Sequence, residues 1–171
     1  SVIVGYNRRF YQPVREARRE ARRDGPVLVQ ATVPESIDGP AGEDPHFEYM
    51  RPFFENSCHA IDLLRFLLGD LRVDSSSHLR APGGRLAGIA ATLSTERGDV
   101  VSYLGNWSAP ANFGISLFRG GRRFDLMPFE AATLYDRAIR ASREEGFVQI
   151  EGIACELASR FYQGRSFAIL P

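Results

Sequence analysis

The chain has 171 residues, of which 44% are hydrophobic and 11% aromatic, and its 21 basic and 21 acidic residues leave no formal net charge. This length is enough for one domain with a substantial core, and the composition excludes an intrinsically disordered chain. The balanced charge also disfavours nucleic acid or an anionic membrane as the main partner.

The first half of the chain predicts strands and helices in alternation. The first helix has Pro13 in its first turn, where proline is tolerated, and it stops at Asp24-Gly-Pro. The second helix has the clearest apolar periodicity in the chain and ends at Gly69. The predicted elements are a strand at residues 2–6, a helix at 10–23, a strand at 27–33, a Pro- and Gly-containing loop at 34–45 and a helix at 54–68.

The second half predicts a series of strands followed by one more helix. Turn signals separate the strands, and Gly120-Gly121 predicts a two-residue hairpin. Successive strands with tight turns predict antiparallel pairing, so the fold class is α+β, a mainly antiparallel open-faced sheet backed on one side by helices. The predicted strands are residues 71–80, 86–95, 100–107, 113–119 and 122–127, and the last helix is residues 147–162, ending at Gly164.

All basic residues are arginine, so no lysine is present to act as acid, base or Schiff-base former. On the first helix, arginines alternate with Glu16 and Glu20 at helical spacing, which favours a solvated, self-paired face over a nucleic-acid site. Cys58 and Cys155 are too few for a disulfide framework and are expected to be buried free thiols.

The sequence has no secretory signal and no apolar run of the roughly 20 residues that a membrane helix needs, so a cytoplasmic protein is expected. The chain opens directly into an apolar run, which is typical of the interior of a larger protein. We therefore expect a single domain over residues 1–171 that belongs to a longer enzyme.

One ionisable constellation stands out on the second helix. Glu55, His59 and Asp62 are spaced so that they share one helix face. A carboxylate beside an imidazole can orient it, so His59 could act as a general acid or base. The same spacing is also common on ordinary helix surfaces. His46 and His78 have no ligand-like spacing, so no metal site is expected.

A second polar cluster, Tyr6, Asn7 and Arg8, lies where the first strand meets the first helix. Such junctions often carry ligand contacts, although a helix start with surface arginines explains the pattern equally well. The chain has no Gly-x-Gly-x-x-Gly after a strand and no Walker loop, so it contains no cofactor-binding residues of its own.

Two motifs follow each other in the chain, Val4-Gly-Tyr-Asn-Arg-Arg-Phe10 and Glu55-Asn-Ser-Cys-His-Ala-Ile-Asp-Leu-Leu-Arg-Phe-Leu-Leu-Gly69. In this order they resemble the second domain of the Gfo/Idh/MocA (glucose-fructose oxidoreductase and inositol dehydrogenase) family. The resemblance implies an upstream Rossmann domain, outside this chain, that binds NAD or NADP. It also implies a parent enzyme that oxidises a sugar or cyclitol hydroxyl or reduces the matching ketone. The family pattern often has Asp where this chain has Glu55, and its catalytic lysine lies in the Rossmann domain.

The resemblance further assigns roles to the two clusters. His59 would exchange the hydroxyl proton, Glu55 would assist it, and Asp62 would fix the imidazole ring or pack structurally. Tyr6, Asn7 and Arg8 would contact the substrate. Alone, the chain is expected to bind no cofactor and to be inactive.

Two other functional classes stay open at this point. The chain could be a non-catalytic dimerisation or sugar-binding module derived from the same family, or, with less support, a His-dependent hydrolase or isomerase. The predicted strands also carry apolar residues on both faces, which predicts an exposed apolar sheet face. We expect that face to pair with a second copy of the chain in a homodimer.

Overall fold

The structure is a computed structural model that describes residues 6–35, 51, 53, 57–82, 84–107, 110–144 and 147–155, with side chains through residue 135. A 3₁₀ turn at Asn7–Phe10 precedes the first helix. The helices are α1 (Gln12–Ala21) and α2 (Cys58–Leu68), and the strands are β1 (Leu28–Pro34), β2 (Arg72–Arg80), β3 (Leu86–Ser94), β4 (Val100–Asn106), β5 (Gly114–Arg119), β6 (Arg122–Leu126), β7 (Ala132–Glu144) and β8 (Phe147–Cys155).

The described strands form one eight-stranded sheet in the order β2-β3-β4-β1-β5-β6-β7-β8. All pairs are antiparallel except β1 with β4, which run parallel from Leu28 beside Val100 to Pro34 beside Asn106. The early strand β1 thus lies between β4 and β5, two strands that follow each other in the chain. The predicted mainly antiparallel sheet is confirmed, but its centre is not a simple meander.

Both helices pack on one face of the sheet. Along β1, Val29, Ala31 and Val33 are fully buried beneath the helices, whereas Leu28 and Gln30 point to the opposite face and are exposed. This period-two alternation is what a sheet covered on one side requires. The apolar cluster beneath the helices is completed by residues from α1, α2, β4, β5 and β6, namely Val14, Ala17, Ala21, Ala60, Leu63, Leu64, Leu67, Val101, Tyr103, Ile115, Leu117, Phe124 and Leu126.

The face of α2 that meets the sheet does not include Cys58. Ala60, Leu63, Leu64 and Leu67 are fully buried, whereas Cys58, expected to be buried, is only partly buried. Burial at positions 60, 63, 64 and 67 follows the helical period.

The predicted hairpin is confirmed. Gly120 and Gly121 link Arg119 to its partner Arg122, with φ values of 53° and 79°. A two-residue hairpin turn of type I′ needs positive φ at both positions, which glycine adopts without steric cost. This two-residue turn therefore sets the register in which β5 and β6 pair.

The prediction for the end of the chain is wrong over residues 147–155. These residues form the strand β8 rather than the start of a helix, and they pair with β7, which the sequence pattern did not predict. Val148 and Ile150 are β-branched, and Gly152 weakens a helix by about 1 kcal/mol relative to alanine, so pairing with β7 overrides the helical interpretation. Residues 156–162 of that predicted helix, and residues 2–5 of the first predicted strand, lie outside the described residues.

Arginine side chains bind the C-terminal end of α1. Arg97 Nη2 donates to the carbonyl of Ala21 at 2.7 Å, and Arg119 donates to the carbonyls of Glu20 and Ala21, both at 3.0 Å. The last carbonyls of a helix have no partner within the helix, so these guanidinium groups satisfy them and complement the helix dipole. We call this end, formed by Glu20, Ala21, Arg97, Asp99 and Arg119, the capped edge.

The side chain of Asp99 anchors the capped edge from inside. It is fully buried and accepts hydrogen bonds from the Val27 backbone N–H at 2.9 Å, from Thr95 at 2.7 Å and from Arg97 at 2.7 Å. Burial opposes ionisation of Asp99, but these hydrogen bonds outweigh it and hold its pKa below the usual value.

The surface of α1 behaves as its charge pattern predicts. Arg19 pairs with Glu16, and Arg23 and Arg122 pair with Glu20 at 2.9 and 3.1 Å.

Within the described part of the chain, no helix is both long and apolar enough to cross a bilayer.

Candidate functional site

The candidate site lies at the edge of the sheet where β1 and β4 end and β5 begins. Pro34 and Asn106 are register partners at this edge, and Gly114 opens β5 beside Thr32. The N-terminal end of α2 lies here too, because Ser57 bonds to residues that follow β1 and β4. We call this end the site edge. It is opposite the capped edge along the same strands.

His59 is partly buried in the first turn of α2. Its ring meets the ring of Tyr6 edge to face, with centroids 5.6 Å apart and planes at 82°. Its Nδ1 atom is buried and has no hydrogen-bond partner among the described residues. The imidazole is thus oriented by an aromatic ring and keeps hydrogen-bonding capacity for a group that the described chain does not supply.

Asp62 is oriented by Arg9 rather than by His59. Arg9 Nε donates to Asp62 Oδ2 at 2.7 Å, and Arg9 Nη2 donates to the other carboxylate oxygen. The Arg9 guanidinium also lies 5.8 Å from the centroid of the Tyr6 ring and 5.6 Å from that of Phe66. Asp62 therefore fixes Arg9, Arg9 lies against Tyr6, and Tyr6 contacts His59. The chain of contacts connects the carboxylate to the imidazole through two side chains.

Arg8, next in sequence, points to a different part of the site edge. Its guanidinium carbon lies 5.6 Å from the ring centroid of Phe113 and 5.5 Å from that of Phe129. These two rings contact each other at a centroid distance of 5.5 Å. The Nη1 atom of Arg8 is buried and has no hydrogen-bond partner in the described part of the chain. Arg8 is thus a positive charge held on aromatic faces.

A buried polar network holds the start of α2 against the sheet. Glu35, directly after β1, accepts from the Ser57 backbone N–H at 3.2 Å and from Ser57 Oγ at 2.9 Å. Trp107 Nε1 donates to the same Ser57 oxygen at 3.2 Å. Glu35 and Ser57 are buried, and Trp107 is 1% exposed. The network fixes the backbone two residues before His59.

Tyr103 completes the interior of this edge. Its hydroxyl lies near Ser57, but among the described residues it has no partner of hydrogen-bond geometry. Burial raises the pKa of Tyr103 to about 12. The neighbouring Cys58 is a free thiol, and burial raises its pKa as well, so it is protonated at neutral pH and is a poor nucleophile.

The structure brings together three of the residues predicted from the sequence, whereas Asn7 and Arg8 lie apart from them. Tyr6 and His59 are in contact, and Asp62 joins them through Arg9. Asn7 is exposed on the 3₁₀ turn. Glu55 lies outside the described residues, so its predicted role stays a prediction.

Sequence reasoning missed Glu35, Ser57 and Trp107 and the aromatic support of Arg8. One signal was available: Glu35 is a carboxylate directly after a buried strand, where strand ends often carry functional groups. No local pattern pairs Phe113 with Phe129, because these residues meet only through the pairing of β5 with β6.

The described residues present no cofactor or metal cradle. No group of three or more His, Cys, Asp or Glu side chains is placed to hold a metal ion among them. The described starts of α1 and α2 carry no Gly-rich loop, since Tyr11 precedes α1 and Ser57 precedes α2. A dinucleotide pyrophosphate binds where glycines let a helix start approach it closely, so these residues do not fit that role.

The sheet order and the two helices define an α+β domain with a mainly antiparallel sheet. Its structural neighbours are dehydrogenases of the Gfo/Idh/MocA type, which confirms at the level of fold the resemblance predicted from the two motifs. No protein-family profile and no curated protein sequence matches the chain.

Three solved structures illustrate the likeness. The dehydrogenase MviM from Clostridium difficile is 12% identical, with a TM-score of 0.62 over 88% of this chain and 45% of that one. UDP-N-acetylglucosamine 3-dehydrogenase from Acidithiobacillus ferrooxidans is 17% identical, with a TM-score of 0.58 over 89% and 47%. Levoglucosan dehydrogenase in complex with NADH and L-sorbose is 11% identical, with a TM-score of 0.59 over 91% and 47%. The chain therefore spans about half the length of the enzymes it resembles.

Proposed function

We propose that this chain is the substrate-side domain of an NAD(P)-dependent oxidoreductase that acts on a sugar or cyclitol hydroxyl, or on the matching ketone. The observation that carries the proposal is the His59 imidazole, which Tyr6 orients and which keeps a buried nitrogen without a partner in the described chain. The fold supports it, because a neighbour of the same fold is a dehydrogenase complexed with NADH and L-sorbose.

In this proposal His59 moves the proton of the reacting hydroxyl. As the alcohol is oxidised, its O–H and C–H bonds break and a C=O bond forms; the proton goes to His59. The nicotinamide, when bound, supplies the hydride chemistry. A positioned imidazole is suited to this step because a ring nitrogen can accept the proton and later return it.

The other predicted residues have supporting roles. Glu55 assists His59. Asp62 is a positioning residue that acts through Arg9 and Tyr6, since its carboxylate is bonded to Arg9. Tyr6 and Arg8 contact the substrate at the site edge, and Asn7 does so from the exposed 3₁₀ turn. Because the described residues present no dinucleotide-binding loop, we place the cofactor in a separate Rossmann domain and expect the chain alone to be inactive.

We also propose that the uncovered face of the sheet forms a homodimer. Leu28, Val100 and Leu104 are apolar and exposed there, at 53%, 42% and 48% of their surface. The face is less apolar than the sequence predicted, because Gln30 and Ser102 alternate with these residues. A mixed surface of this kind can form a dimer interface, because many interfaces are no more apolar than the rest of a protein surface.

Mass measurement in solution tests the dimer. A charge in the centre of this face, Leu104→Glu, is expected to shift the protein towards monomer, because a buried interface does not tolerate an unpaired carboxylate. Phe10→Glu is the matched control, since Phe10 is 70% exposed beside α1 on the helix side of the sheet. A wild-type protein that stays monomeric at high concentration contradicts this part of the proposal.

The catalytic part is tested on the full-length gene product. Hexoses, their acid and phosphate derivatives and cyclitols are offered with NAD⁺ or NADP⁺, and formation of the reduced cofactor is followed by absorbance. We expect turnover of at least one polyol or sugar by the full-length protein and none by the 171-residue chain alone. Sugar binding without any turnover would instead identify a non-catalytic module.

A further inference from the structure

We propose that the substrate carries an anionic oxygen group, a carboxylate or a phosphate, and that Arg8 binds it. The inference rests on the proposed function, because it names the class of sugar-like molecule that the site edge receives. It starts from the contrast between Arg8 and the other partly buried arginines of the described chain.

Other partly buried arginines have hydrogen-bond acceptors. Arg9 pairs with Asp62, Arg97 with Asp99 and Arg122 with Glu20, and Arg119 donates to the carbonyls of Glu20 and Ala21. Among the described residues the buried Nη1 of Arg8 donates no hydrogen bond. A buried donor without a partner costs free energy, so its presence at the site edge points to a ligand that supplies the partner.

Phe113 and Phe129 hold the Arg8 guanidinium in place without neutralising it. Contact with ring faces gives only a modest cation–π attraction. Phe129 is 2% exposed, so this support is rigid. Aromatic surroundings also exclude water, which strengthens the attraction between Arg8 and an incoming negative charge.

The two carboxylates closest to α2 at the site edge are already engaged. Asp62 is bonded to Arg9, and Glu35 is bonded to Ser57. Neither is bonded to Arg8. An anionic substituent on the substrate therefore enters a site that carries an unmatched positive charge, and the planar guanidinium can give it two parallel hydrogen bonds.

The test compares matched neutral and anionic compounds on the full-length enzyme. Glucose, galactose and mannose are each compared with their uronates and their 6-phosphates, by kcat/KM and by calorimetric binding. We expect one anionic series to exceed its neutral parents by about tenfold to a hundredfold, the usual effect of a charge-assisted, bidentate contact. The uronate and phosphate arms then distinguish a carboxylate from a phosphate.

Variants assign the preference to Arg8. Arg8→Gln should abolish it, and Arg8→Lys should retain part of it, because lysine keeps the charge but not the planar fork. Arg15→Gln removes the same charge from an exposed position on α1 and should change nothing. If Arg8→Gln does not fold, the wild-type preference and the Arg8→Lys variant still decide the question.

Two results would overturn the inference. One is a wild-type enzyme that turns over or binds neutral and anionic compounds equally well. The other is an Arg8→Gln variant that loses the same factor for both series, since this would mean that Arg8 only supports the fold. Absence of turnover with every compound refutes the proposed function instead, and calorimetric binding then still tests the role of Arg8.

Discussion

The two edges of the sheet differ in how completely their buried polar groups are satisfied. At the capped edge, Arg97 and Arg119 satisfy the last carbonyls of α1, and three donors satisfy Asp99. At the site edge, His59 Nδ1 and Arg8 Nη1 are buried without a partner among the described residues. The same helices and strands connect both edges, so the difference comes from which side chains the sequence places there.

The difference indicates that one edge serves stability and the other serves ligand binding. Satisfied buried groups stabilise the folded chain, whereas unsatisfied ones cost free energy until a ligand binds them. The capped edge is therefore expected to dominate stability, and the site edge to dominate ligand binding and turnover. Near the capped edge, the guanidinium of Arg122 also binds Glu20 through Nη1 at 3.1 Å.

The largest expected effect on stability is at Asp99. Asp99→Ala should lower the free energy of unfolding by about 3–4 kcal/mol, because it leaves Arg97, Thr95 and the Val27 N–H without their common acceptor. Denaturant unfolding measures this change. Asp70→Ala is the control: Asp70 also pairs with an arginine but its side chain is 91% exposed, so the unfolding midpoint should hardly move.

The lowered pKa of Asp99 also predicts that the folded chain loses stability at acid pH. Its pKa is lower in the folded than in the unfolded chain, so its contribution is complete above the unfolded value of about 4 and is lost as pH falls through the folded value. Asp99→Asn should remove this part of the pH dependence. An unchanged acid-unfolding profile in that variant would contradict the assignment.

The largest expected effect on activity is at His59. In the full-length enzyme His59→Ala should lower kcat by about a hundredfold or more, the usual contribution of one acid–base group. Thermal unfolding should change far less than after a core truncation, since His59 is only partly buried. His78→Ala on the exposed strand β2 should leave kcat unchanged. Equal losses in both variants would mean that His59 is not the proton-transfer group.

Ser57 offers an intermediate effect at the site edge. Ser57→Ala should destabilise the protein by about 1–3 kcal/mol, because Glu35 and Trp107 both lose a buried hydrogen bond. Trp107 is the only tryptophan, so its fluorescence reports the change during denaturant unfolding. Ser77→Ala on the exposed strand β2 is the matched control. A loss no larger than that of Ser77→Ala would show that the network does not hold α2.

The smallest expected effect is at Tyr103. Tyr103→Phe should be neutral or stabilise the protein by up to about 1 kcal/mol, because the buried hydroxyl has no described partner to lose. The raised pKa of Tyr103 also predicts that wild-type stability falls as pH rises from about 10 towards 12, where only the unfolded chain ionises. Tyr103→Phe should weaken that alkaline loss. A destabilisation above about 1 kcal/mol would indicate a hydrogen bond that the geometry lacks.

The sequence predicted the elements whose signals are local. The periodicity of α1 and α2, the Gly120-Gly121 hairpin and most strands of the second half could be read from spacing and turn residues alone. The tail could not, because β8 contains residues that suit either a helix or a strand until β7 pairs with it. The energy of pairing with a neighbouring strand decides whether such a segment becomes a helix or a strand. That energy depends on residues far away in the chain.

The same distinction between local and long-range information applies to the candidate site. The sequence alone singled out two local clusters, one at a predicted strand-to-helix junction and one on a single helix face, namely Tyr6, Asn7 and Arg8, and Glu55, His59 and Asp62. Only the tertiary structure decided that Asp62 binds Arg9, 53 residues away, and that Arg8 lies on two phenylalanines with no described carboxylate. Local spacing fixes which side chains share a helix face, whereas the pairing of β1 between β4 and β5 fixes which faces and strand ends meet.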